Sequence, residues 1–175
     1  MIVGSTKFPY HRPSGRFVNP LIERDMTDSK INSLLNDVLI ELHRSLVQYT
    51  AEAWPWSTSQ DAESRQLVQQ IALRQQAEVA ELAQLLQARG WVIDFGVYPQ
   101  DYTTLHYVAL EFLLSYLKTN QGELADWLFS LLPEFTGDSD AETLVRKIAT
   151  SERNAHHDLC GLKFPSGASE MAWMK

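Results

Sequence analysis

Apolar residues recur at helical spacing in four stretches of this chain, and each stretch has recognisable ends. In the first, Ile31, Leu34, Leu35, Val38, Leu42, Leu46 and Tyr49 fall on one face. Thr27 or Asp28 is a suitable N-cap, and Pro55 in AWPW is a stop. The second runs from a cap among Ser57 to Ser59 to about Arg89, with Gly90 as its C-terminal signal. The third opens near Thr103 and contains VALEFLLSYL, an apolar run with one charge, Glu111. It continues through LADWLFSLLP to Pro133, with Gly122 as a point where it could kink. The fourth follows GDSDAE, where Ser139 and Glu142 have capping-box spacing.

Polar residues interrupt the buried stripe of two of these helices. The second helix reads Val68, Ile71, Gln75, Glu78, Leu82, Leu85, and the fourth reads Val145, Ile148, Glu152, Ala155, Leu159, Leu162. A stripe that faces a core is normally apolar, so Gln75, Glu78 and Glu152 need partners inside. The sole charge of the run VALEFLLSYL, Glu111, is expected to be buried or to face a cavity. Glu41 lies on the flank of the first stripe, where a solvated side chain is the ordinary outcome.

The connection WVIDFGVYPQ is rich in β-branched and aromatic residues and reads as extended chain. About 12 extended residues cover about 40 Å. A second helix of about 29 residues is about 43 Å long. The link can therefore run the length of a bundle and start the third helix parallel to the second. The other two links are short, as antiparallel neighbours require.

This order of helices resembles the ferritin-like superfamily across residues 28–162, with QQAEVAELAQLLQARG similar to that family's second helix. The resemblance implies an all-α, ferritin-like four-helix bundle with a long crossover between the second and third helices. It also implies an iron or manganese centre with oxygen- or peroxide-linked redox chemistry. In the family, the first and third helices each give a Glu, and the second and fourth each give a Glu-x-x-His pair. By position, Glu41 (or Asp37) stands for the first-helix Glu, Gln75 and Glu78 for the second-helix pair, and Glu111 for the third-helix Glu. Glu152 stands for the fourth-helix Glu, but Ala155 holds the expected His place and His156 comes one residue later. The metal set implied is thus Glu78, Glu111, Glu152 and His156, with Glu41 and Gln75 second and His106 nearby. Both pairs are altered, so a centre that has lost its metal is the other reading, with Gln75 bonding Glu152 or Glu111 and some carboxyls protonated.

Composition sets the remaining bounds. A net charge of −7 argues against a nucleic-acid surface or an anionic membrane. No run approaches the roughly 20 apolar residues of a membrane span. Cys160 is the only cysteine, which suits a reducing cytoplasm and reads as a buried structural thiol. Residues 1–27 read as an extended arm, and 163–175 as a tail; both carry aromatics. With the helix faces, they offer surfaces for a homodimer or for a non-enzymatic binding and assembly role. His11, His43 and His157 read as surface histidines. Trp54 and Trp56 read as packing at a bundle end, and Tyr49, Tyr107 and Tyr116 as core aromatics or pocket lining.

Overall fold

The structure, a computed structural model, describes residues 20–53, 62–108 and 110–162. It is all-helical among these residues, with four long helices. They are α1 (Pro20–His43), α3 (Ala62–Ala88), α4 (Leu110–Leu131) and α5 (Ser139–Gly161), and a short α2 (Leu46–Glu52) extends α1.

Local chemistry explains where these boundaries depart from the sequence expectation. α1 opens at Pro20, ahead of Thr27 and Asp28, because proline fits the first helical turn. Arg44 and Ser45 then break what reads as a single helix. Ser45 is extended, with φ −61° and ψ 156°, and its hydroxyl accepts the Gln48 N–H to cap α2. Pro55, Trp54 and Trp56 lie outside the described residues. At the end of α3, Gly90 takes φ 68°, Trp91 N–H bonds Leu86 O and Gly90 N–H bonds Gln87 O. That pair of bonds is the glycine-terminated helix end expected from the sequence. Residues 100–107 form a 3-10 turn, so α4 starts at Leu110 and not near Thr103. α4 is continuous through Gly122. Asp138, not Ser139, caps α5: its carboxylate accepts the Ala141 N–H and also holds Arg89 at 2.7 and 2.9 Å.

Contacts along the helices fix their directions. α1 and α3 are antiparallel, with Asn32 against Arg89 at one end and Gln48 against Ala72 at the other. α4 and α5 are antiparallel, with Lys118 near Leu162 and Asp126 paired with Arg153. The connection 91–99 climbs along α1. Asn36 bonds Asp94 at both its N–H and its carbonyl, and Arg44 donates to the carbonyls of Phe95 and Gly96. Gly96 has φ +60°, and a Cβ there would sit 2.6 Å from Ile40 Cγ2, so the close pass against α1 requires glycine. The connection therefore brings the chain back to the far end before α4 begins, and α4 runs in the same direction as α3.

The interior is two apolar clusters with a polar layer between them. One cluster includes Leu35, Leu39, Leu42, Leu82, Leu86, Leu128, Phe135 and Ile148. The other includes Leu46, Val68, Ile71, Leu113, Leu117, Ala155 and Leu159. On α3 the change falls between Ile71 and Leu82, and on α5 between Ile148 and Ala155.

Candidate functional site

The layer between the clusters is built around Glu152, which is fully buried on α5. Gln75 on α3, also fully buried, donates its amide to Glu152 Oε2 at 2.8 Å. Gln121 on α4 donates to the same oxygen and, at 3.4 Å, to the Glu152 carbonyl. The orientation of the Gln75 amide is determined by its other end. Its Oε1 accepts from Ser45 Oγ at 2.8 Å and from Gln48 Nε2 at 3.3 Å, leaving the NH2 group to face Glu152. Gln48 Nε2 also donates to Ala72 O, and Gln76 donates to Gln48 Oε1. One hydrogen-bonded hub thus joins α2 and the residue that caps it to α3, α4 and α5.

Glu78 completes the layer one turn along α3, and is 4 % exposed. Burial pushes its carboxyl up to about 8, and the neighbouring Glu152 acts in the same direction by charge and by hydrogen bonding. Ser151 and the Arg74 guanidinium pull it down by less. At neutral pH Glu78 therefore carries a proton. Glu78 Oε2 and Glu152 Oε1 are the buried carboxyl oxygens without another partner. A single proton shared between them would satisfy both.

The sequence-derived set is only partly brought together. Gln75, Glu78 and Glu152 meet. His156 does not join them: its ring lies against α4 where Gly122 leaves room, since a Cβ there would stand 3.1 Å from Nε2. Its Nε2 is 3.4 Å from Cys160 Sγ, and Cys160 is exposed, correcting the buried thiol expected. Glu41 is exposed on α1, one turn before Ser45. The side chains of Glu111, His106 and Tyr107 lie outside the described residues. Glu111 is nevertheless about 15 Å of helix from Gln121, the α4 residue that faces Glu152. Gln121, Ser45, Gln48 and Gln76 are the members of the hub that the sequence does not single out. His43 is half-buried and packs edge-on against Phe95, and burial together with Arg44 lowers its pKa. Tyr49 packs against Tyr98 and Tyr102, His157 is exposed, and Tyr116 stacks on Phe112.

The donor set can be tested against a two-metal centre. Such a centre needs several carboxylates and one or two imidazoles turned toward the ions. Here the layer offers two carboxyls, amides and a hydroxyl. Two of the amides direct N–H groups at Glu152, where a cation would meet hydrogens of like polarity. Among the described residues no group of three or more His, Cys, Asp or Glu is placed to hold a metal ion. The described residues of this layer do not fit a di-iron or di-manganese centre.

Compared with protein-family models, curated proteins and solved structures, the chain matches none. Among the described residues no helix is long and apolar enough to cross a membrane.

Proposed function

We propose that this chain is a ferritin-like bundle whose mid-bundle metal centre has become a metal-free amide–carboxyl hub, and that it acts as a non-enzymatic binding and assembly module. The ferritin-like reading is supported by the helix directions and the full-length crossover along α1. At the level of Glu152, the four helices contribute Ser45, Gln75 with Glu78, Gln121, and Glu152 with Ala155. Set beside the family pattern of Glu, Glu-x-x-His, Glu and Glu-x-x-His, one Glu keeps its place and both imidazoles are replaced.

The observation that carries the reading is the pair of amides from Gln75 and Gln121 converging on Glu152 Oε2. A hub of this kind fixes the register of four helices, since Ser45, Gln75, Gln121 and Glu152 Oε2 are paired with one another in one arrangement only. The assembly role rests on the surface. Leu73, Val92, Val97 and Phe112 are exposed apolar side chains suited to a homodimer or another protein partner in the cytoplasm. Metal analysis tests the reading. Protein purified with iron and manganese supplied should hold far less than one ion per chain, and its melting temperature should not respond to added iron. Near-stoichiometric metal, lost in Glu78→Ala and Glu152→Ala, would restore the redox reading and overturn this one.

A further inference from the structure

A groove of about 480 Å³ lies between α1 and α4, away from the buried hub except where Ser45 reaches its floor. Asp37 and Glu41 line it from α1, Glu123 and Trp127 from α4, and Tyr102 from the 3-10 turn. The three carboxylates are exposed, and none has an ion-pair or hydrogen-bond partner among the described residues. Leu124 and Ile40 complete an apolar floor. Acidic rims over an aromatic and aliphatic floor suit a chain segment that alternates cations with aromatic residues.

The sequence contains one such segment. Residues 1–19, outside the described residues, read MIVGSTKFPYHRPSGRFVN: Lys7, Arg12 and Arg16 among Phe8, Tyr10 and Phe17, with no acidic residue. The remainder of the chain is therefore more acidic than the total of −7. The segment ends at Pro20, where α1 begins. From there to Asp37 is about 26 Å of helix, and to Glu41 about 32 Å. Extended chain turned back along α1 covers these distances in about 8 and 10 residues, which brings Arg12 and Tyr10 level with the groove. A tether this short holds its own groove at millimolar effective concentration, an advantage no free ligand has.

We propose that residues 1–19 fold back along α1 and dock in the α1–α4 groove of the same chain, with the arm's cations on Asp37, Glu41 and Glu123. Zero-length carbodiimide coupling of the full chain, read by peptide mass spectrometry, tests this. Lys7 is the only lysine of the arm. By the same count it lies about 10 Å beyond the level of Glu41, the combined reach of the two side chains, and it should couple to Glu41 in a product of monomer mass. The variant Arg12→Gln with Arg16→Gln leaves every coupling group in place and adds no competing acid, and should lower that yield roughly three- to fivefold with unchanged helical circular dichroism. Three outcomes overturn the proposal: coupling of Lys7 mainly to other acids, a yield indifferent to the two substitutions, or coupling found only in a product of dimer mass. The last would assign the groove to the arm of a second copy.

Discussion

Glu78→Gln is the variant whose effect follows most directly from the buried layer. In the unfolded chain this carboxyl titrates near its ordinary value of 4.5, and burial in the folded protein pushes it up to about 8. Between those values the folded state keeps a proton that the unfolded state releases. The group's contribution to stability is therefore complete below about pH 4.5 and is lost as pH rises through about 8. Each pH unit in that window is worth up to about 1.4 kcal/mol, giving an upper limit of about 5 kcal/mol. Relaxation of the layer and water entry reduce this to about 2–3 kcal/mol. Glutamine cannot ionise, and its amide can donate to Glu152 as the protonated carboxyl does. Urea unfolding of wild type and variant, measured in steps from about pH 5 to about pH 9, isolates the term because other titrations cancel in the difference. The stability of Glu78→Gln relative to wild type should climb with pH across the window and level off above it. A flat difference, or one that falls with rising pH, would refute the shared-proton description of Glu78 and Glu152.

Other substitutions test the supporting contacts. Gln75→Glu places a third carboxyl against Glu152 and removes a donor, and should cost about 2–4 kcal/mol at neutral pH by chemical denaturation. Asp138→Ala removes both the α5 cap and the Arg89 pair, for about 2–3 kcal/mol at neutral pH. Because Arg89 beside Asp138 holds its carboxyl below the usual value, that cost should shrink as pH falls below about 4. Gly96→Ala meets Ile40 from a left-handed backbone and should lower stability by about 2 kcal/mol. Gly122→Ala should stabilise by about 1 kcal/mol when His156 is alanine and by much less when it is histidine, a double-mutant cycle that reads the contact between them.

Helical periodicity made most of the architecture legible, since four apolar stripes and their stops are local properties. It also exposed Gln75, Glu78 and Glu152, because a polar residue inside an apolar stripe stands out. Gln121 was hidden by its neighbours. It sits in KTNQGE, which reads as a polar surface or a kink at Gly122, although Leu117, Gln121, Leu124 and Leu128 follow the same three-and-four spacing. Glu111 stands out in the sequence as the one charge in an apolar run, and about 15 Å of helix separates it from Gln121. Ser45 was obscured because its hydroxyl both caps α2 and donates to Gln75, a break that a periodic stripe does not announce. The placement of His156 depends on the space at Gly122, which only the packing of α4 on α5 reveals.

An anomalous-difference map at the iron edge, from crystals grown with iron present and resolved well enough to orient side-chain amides, tests the hub most directly. No peak is expected between Glu78 and Glu152, with the amide nitrogens of Gln75 and Gln121 facing Glu152. A peak bonded to either carboxyl, with those amides turned away, would contradict it.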